Sequence, residues 1–202
     1  MGSVNCATDP LKVVQDALSE GVTMLQFREK GSGCLQGAHA EKLARDLQSV
    51  CAEYNVPFII NDDIELALKI DADGVHIGQE DGEPAMVRKR IGNKILGVSA
   101  HSVSEAAAAI DAGADYLGVG PMFPTSTKSD TRPVSGPALI QKMRQLGIDH
   151  PLVGIGGITP DNAIEVLRAG ADGVAVISCI SSSPDPGAAA ERMKNVLLEA
   201  RC

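Results

Sequence analysis

The sequence predicts an α/β protein of the TIM (β/α)8-barrel class with its first strand truncated or missing. Three observations carry that prediction. Short β-branched runs alternate with helical patterns, the signature of parallel strands joined by crossover helices. Runs such as Val56-Pro57-Phe58-Ile59-Ile60 and Val174-Ala175-Val176-Ile177 are apolar on both alternating faces, as in strands covered on both sides. Polar and charged residues gather where successive runs end, which is how a βα barrel assembles an active site.

Taken in order, the first helix starts at Asp9-Pro10, the aspartate as N-cap and the proline in the first helical position. Strands are expected at about residues 22 to 27, 56 to 60, 73 to 77, 94 to 99, 115 to 120, 151 to 155 and 173 to 177. Asp71-Ala72-Asp73-Gly74-Val75, Gly113-Ala114-Asp115-Tyr116-Leu117 and Gly170-Ala171-Asp172-Gly173-Val174 each set a helix-ending turn before a strand. Gly113 and Gly170 suit the left-handed C-cap conformation. Ser181-Ser182-Ser183-Pro184-Asp185-Pro186 reads as the loop before the last helix, and no linker divides residues 1–202, so a single domain is expected. The strand count is seven, where a closed barrel needs eight. Met1-Gly2-Ser3-Val4 is too short to supply a full strand, which usually has five or six residues.

The chain has 202 residues, 44% of them hydrophobic, which suits one domain slightly shorter than the roughly 250 residues of a typical full barrel. Its 18 basic and 26 acidic residues leave a net charge of -8, without a basic run and with no tryptophan, so nucleic acid is not an expected partner. No apolar run approaches the roughly 18 residues of a membrane span, and the N-terminus has no secretory pattern. A cytoplasmic protein without membrane association is the default expectation. Cys6, Cys34, Cys51, Cys179 and Cys202 are scattered and lack CxxC spacing, so they read as free thiols.

The strand ends carry the chemistry. Arg28 and Lys30, two apart after the strand that holds Gln26, can grip a polyphosphate, Arg as a planar fork and Lys as a point charge. An exposed Arg-Glu-Lys ion-pair cluster is the simpler alternative. Asp62, following Asn61, and Asp81, beyond the next strand, could share a hard cation and leave positions for water and phosphate oxygens, the habit of magnesium. Alternatively Asp62 or Asp63 caps the following helix; Asp63 is the expected cap and Asp62 the expected ligand. Thr125, Thr127 and Lys128 form a loop that could close over a leaving phosphate, or could simply be solvated. Gly154-Ile155-Gly156-Gly157-Ile158-Thr159, with Ile177-Ser178, resembles the monophosphate site built by the last two strand-end loops of a barrel. Two anion sites, one with a metal, suggest a reaction that joins two phosphorylated molecules or displaces diphosphate.

The combination QFREK, NDD, HIGQED, GVSAHS, GPMFPTSTK and VGIGGIT resembles the thiamine-phosphate synthase family over nearly the whole chain. The resemblance implies a Mg2+-dependent transferase that joins hydroxymethylpyrimidine diphosphate to thiazole phosphate. It implies that Gln26, Arg28, Lys30, Asn61 and Lys128 bind the pyrimidine diphosphate, that Asp62 and Asp81 hold Mg2+, and that Ser99 contacts the pyrimidine. Thr125, Thr127, Gly157, Ile177 and Ser178 would hold the thiazole phosphate or close the site around it. Arg28, Ser99 and Lys128 are the residues expected closest to catalysis, and His76, His101 and Cys179 receive no catalytic role. The expected partners are the two small-molecule substrates, and a homodimer is left open. Two rival readings stand beside this one. A thiazole tautomerase shares the barrel, but its relatives place a histidine where Pro121 follows Gly120 here. A non-catalytic phosphate-binding remnant is suggested by the short first strand.

Overall fold

A computed structural model of the chain describes residues 1–125, 127 and 133–200. All seven expected strands are present: β1 (Leu25–Phe27), β2 (Phe58–Asn61), β3 (Gly74–Ile77), β4 (Ile95–Ala100), β5 (Tyr116–Val119), β6 (Leu152–Ile155) and β7 (Gly173–Ala175). The helices are α1 (Pro10–Ser19), α2 (Gly37–Glu53), α3 (Ile64–Lys69), α4 (Pro84–Ile91), α5 (Val103–Asp111), α6 (Pro137–Gln145), α7 (Ala163–Arg168), α8 (Ser178–Ser181) and α9 (Pro186–Glu199). The strands run parallel and in chain order. This is the α/β, TIM-barrel class, with seven strands among the described residues where a closed barrel has eight. Two compact units divide the chain, one of Met1–His76 and Ile177–Lys194, the other of Ile77–Val176 with the residues from Asn195 onward.

In the first unit, β1 pairs with β2 from Leu25↔Phe58 to Phe27↔Ile60, and β2 with β3 from Ile59↔Gly74 to Asn61↔His76. Asp9 caps α1 as expected, its Oδ1 accepting from the Leu11 amide at 3.2 Å, with Pro10 in the first turn. Phe58, Ile59 and Ile60 are almost completely buried, and α1 and α2 bury Val13, Val14, Ala44 and Leu47. Each such large side chain contributes about 1.5–3 kcal/mol through loss of apolar surface to water. Phe27 lies against Phe58 with ring centroids 6.1 Å apart.

Met1 to Val4 form no strand. The Met1 ammonium donates to the Gln26 carbonyl at 2.5 Å, and the Met1 carbonyl accepts from the Arg28 amide at 3.0 Å. Those are the two bonds of a parallel bridge opposite Phe27. One residue thus holds the ladder position of a first strand. The chain then turns away as a 3-10 turn over Ser3–Asn5. Gly2 is buried where a Cβ would meet the Arg28 carbonyl oxygen, so this turn lies directly on the end of β1.

In the second unit, β4 pairs with β5 from Gly97↔Tyr116 to Ala100↔Val119, β5 with β6 from Leu117↔Leu152, and β6 with β7 from Val153↔Gly173. Leu96, Val98, Leu117, Val119 and Leu152 form its core with Ile140 and Met143 of α6. Every residue of β5 is buried, whereas β7 is only half-buried throughout.

The three echoing pre-strand turns share one device. The Asp115 carboxylate accepts from the Leu96 amide at 2.7 Å, and its own amide donates to the Leu96 carbonyl at 2.7 Å. Asp172 does the same with Leu152, and Asp73 with Phe58. A side chain from the preceding even-numbered helix covers each turn. Arg88 bonds the Gly92, Lys94 and Gly113 carbonyls and Asp115, while Arg144 bonds the Ile148, His150 and Gly170 carbonyls and Asp172. Gln48 reaches the Ile70 and Asp71 carbonyls. These side chains satisfy helix-end carbonyls that would otherwise lack donors. Gly113 and Gly170 take φ of 89° and 106°, the left-handed conformation expected of them.

Candidate functional site

The first unit brings most of the expected diphosphate residues to the ends of β1 and β2. The register Phe27↔Ile60 sets Arg28 level with Asn61. Asp62 has φ of 64°, a left-handed conformation tolerated by short polar residues, and its amide donates to the His76 carbonyl at 2.9 Å. Asp63 caps α3, its Oδ1 accepting from the Leu66 amide at 2.9 Å. The Asp63 carboxylate is therefore the helix cap, as expected. Lys30 Nζ lies 2.7 Å from Asp62 Oδ2, so that carboxylate already engages a cation. Oxygen donors of this kind suit a hard divalent ion.

Glu29, between Arg28 and Lys30, turns to a different task. Its carboxylate accepts from the Ser3 amide, from Ser3 Oγ at 3.0 Å and from the Leu35 amide at 2.9 Å. It thereby holds the N-terminal turn and the loop beyond Lys30 to the end of β1. Ile177 and Ser178 also belong to this unit, where Ile177 precedes the one-turn helix α8 that Ser178 begins.

The second unit holds Asp81, Ser99, Thr125, Thr127 and Gly157. Asp81 Oδ2 accepts from the Gly78 amide at 3.1 Å, and a Cβ on residue 78 would lie 2.6 Å from that oxygen. Ser99 is half-buried on β4, opposite Gly118 of β5. Gln79 Nε2 donates to the Ser99 carbonyl at 2.6 Å. His101 Nδ1 lies 2.6 Å from the Gly120 carbonyl, which can only accept, so Nδ1 carries the proton. The His101 amide donates to Glu105 at 2.6 Å. His76 is buried within β3.

Thr125 and Thr127 form a local turn: the Thr127 amide and hydroxyl both lie 3.3 Å from Thr125 Oγ1. Lys128 lies outside the described residues. The segment leading to Thr125 rests on the glycine pair after β6. The Met122 amide donates to the Ile155 carbonyl at 2.9 Å and the Phe123 amide to the Gly156 carbonyl at 3.0 Å. A Cβ at Gly156 would lie 2.8 Å from Pro121 Cβ, and one at Gly157 would lie 2.6 Å from the Pro124 carbonyl oxygen. The pair is thus a tight turn and also a seat for the Pro121–Pro124 segment that leads to Thr125. Asn162 fixes that turn by donating to the Gly157 carbonyl at 3.0 Å and accepting from the Thr159 amide at 2.8 Å.

Sequence reasoning missed Gln79 and Asn162 as organising residues. Gln79 lies inside the HIGQED run, but nothing in its neighbours reveals that it reaches the next strand. Among the described residues, no group of three or more His, Cys, Asp or Glu is placed to hold a metal alone, and no helix is long and apolar enough to cross a membrane. The described cysteines Cys6, Cys34, Cys51 and Cys179 are free thiols. Burial pushes the Cys51 thiol up to about 12 and the Cys6 thiol up to about 11.

Known proteins resemble this chain in sequence and in fold. A Geobacillus kaustophilus protein named thiamine-phosphate synthase is 57% identical over 201 residues, covering 100% of this chain and 91% of that protein. A Bacillus licheniformis protein of the same name is 58% identical over 191 residues, covering 95% of this chain and 85% of that one. The solved structure of a thiamine phosphate pyrophosphorylase from Pyrococcus furiosus superimposes with a TM-score of 0.86 at 35% identity, covering 96% of this chain and 91% of the other. The family described as thiamine monophosphate synthase matches residues 1–180. With its sequence and its fold in agreement, the chain belongs to the thiamine monophosphate synthase family.

Proposed function

We propose that this chain is a Mg2+-dependent transferase that condenses hydroxymethylpyrimidine diphosphate with thiazole phosphate, releasing diphosphate and forming thiamine phosphate. The observation that carries the reading is the Lys30–Asp62 pair at the ends of β1 and β2, where a cation and a carboxylate meet beside Arg28 and Asn61. Relatives named for this synthase at 56–58% identity support it.

In this reading Gln26, Arg28, Lys30, Asn61 and Lys128 bind the pyrimidine diphosphate, and Ser99 contacts the pyrimidine ring. Asp62 and Asp81 would hold the magnesium ion, which when bound shields the negative charge of the diphosphate. Lys30 now sits on Asp62 and would pass to the substrate when a divalent ion takes its place. Thr125, Thr127, Gly157, Ile177 and Ser178 receive the thiazole phosphate. The Ile177–Ser178 turn supports this, since a short helix after the last strand is a recurrent phosphate site in barrels. The bond between the pyrimidine methylene carbon and the diphosphate oxygen breaks with both electrons leaving on oxygen. The lone pair of the thiazole nitrogen then forms the new carbon–nitrogen bond. No protein nucleophile is required. Arg28, Lys30 and Lys128 stabilise the departing charge, and Ser99 orients the ring, so the acceleration is electrostatic and positional.

The purified chain with both substrates is expected to form thiamine phosphate and diphosphate with magnesium and none with excess chelator. Asp62→Asn and Lys30→Ala should each lower kcat/KM by about 100-fold, the scale of losing one charge-stabilising group. A well-folded chain that binds phosphate without turnover would instead identify a binding-only remnant. Conversion of one thiazole isomer to another, without condensation, would identify a tautomerase.

A further inference from the structure

We propose that Gln79 is a positioning residue that couples the Asp81 loop to Ser99, so that the carboxylate and the pyrimidine contact are held as one unit. The inference rests on the site reading above for Asp81 and Ser99 and extends it to Gln79, which lies outside that set of site residues. Asp81 lies four residues beyond the end of β3, in the loop of residues 78–83 that carries Gly78 and Gly82. Within that loop the Gly78 amide donates to Asp81 Oδ2 at 3.1 Å, and the Asp81 amide is 3.4 Å from the Gly78 carbonyl. These bonds fix Asp81 to its own turn. A further bond ties the turn to the neighbouring strand.

Gln79 supplies that second restraint. Its side chain is exposed, yet it is held across to β4, with Nε2 2.6 Å from the Ser99 carbonyl oxygen. A long, rotamer-rich side chain loses entropy when held in this way. The bond ties two backbone segments separated by 20 residues, one carrying Asp81 and the other Ser99 itself. Because a carbonyl oxygen only accepts, residue 79 must be a donor. Glutamate has nearly the same shape but would present oxygen to oxygen. Methionine fills the space without donating.

The test compares Gln79→Met and Gln79→Glu with Asp81→Asn and Ser99→Ala, measuring steady-state kinetics for each substrate, Mn2+ binding by electron paramagnetic resonance, and thermal melting. Partners that orient metal-binding groups typically matter by 10–100-fold. Both Gln79 variants should therefore raise the pyrimidine diphosphate KM and weaken Mn2+ binding by about 10-fold. The thiazole phosphate KM should stay within about twofold and the melting midpoint should be unchanged, with Gln79→Glu at least as impaired as Gln79→Met. If Gln79→Met leaves the pyrimidine KM and Mn2+ binding unchanged while Asp81→Asn and Ser99→Ala alter them, the coupling is wrong and the site reading stands. Equal loss for both substrates, or a lowered melting midpoint, would also overturn it, because a general structural role has that signature. If Asp81→Asn changes neither turnover nor Mn2+ binding, the site reading fails and the inference fails with it.

Discussion

Gly157 shows how one residue can serve packing and chemistry together. Its φ is 65°, and a Cβ would approach the Pro124 and Phe123 carbonyl oxygens at 2.6 and 2.8 Å. Those atoms are backbone and cannot swing aside. Gly157→Ala should lower stability by about 1–3 kcal/mol, read from the urea midpoint, and should raise the thiazole phosphate KM because the threonine loop shifts. Cys51 provides a pH-dependent case. Burial is the main cause that lifts its thiol from 9.0 to about 12, with the Asp73 charge adding to it. The unfolded chain therefore loses this proton first. The associated stability is fully present below about pH 9 and is lost as pH rises from 9 toward 12. Denaturation free energy should fall across that window in the wild-type chain and fall less steeply in Cys51→Ala. A slope unchanged by the substitution would show that the thiol does not contribute.

At the level of elements, the aspartate before each of β3, β5 and β7 joins that strand to the one before it and, in β5 and β7, also to an arginine. Removing one partner leaves a buried amide without an acceptor, at a cost of about 1–3 kcal/mol. Asp172→Ala should show that loss in equilibrium unfolding. Arg144→Lys should be similarly damaging despite keeping the charge, because an ammonium cannot span the Ile148, His150 and Gly170 carbonyls and Asp172 at once. The turn before β1 has a related form. Gly21, with φ of 97°, lies beneath Lys194 of α9, and Thr23 stands where the other turns carry aspartate. The echo among the turns was legible because Ala-Asp recurs before the strand, after Gly113 and Gly170 in two turns and after Asp71 in the third. The helix side chains that complete it were not, since Gln48 differs in type from Arg88 and Arg144 and each reaches a turn more than 20 residues away.

Across the whole molecule, strand burial predicts where the fold is firmest. β5 is buried at every position and β7 at none. Amide hydrogen exchange should be slower in β5 than in β7 by an amount that reflects local opening. Equal protection would mean that the unit opens only as a whole. The Met1 bridge to β1 makes a related prediction. Deleting Met1 and Gly2 should speed exchange at the Arg28 amide, which donates to Met1, with less effect at Leu25, whose amide donates to Pro57.

The sequence by itself determined the alternation of strands and helices, the Asp9 and Asp63 caps, and the strand ends where polar residues collect. All of these depend on neighbours within a few positions, which periodicity and capping chemistry report directly. Only the tertiary structure decided that Lys30 meets Asp62 across 32 residues, that Gln79 reaches Ser99, and that Gly157 lies against the Phe123 and Pro124 carbonyls. Those pairings depend on strand register and on the path of each crossover, properties set by packing among distant segments and absent from any local stretch of sequence.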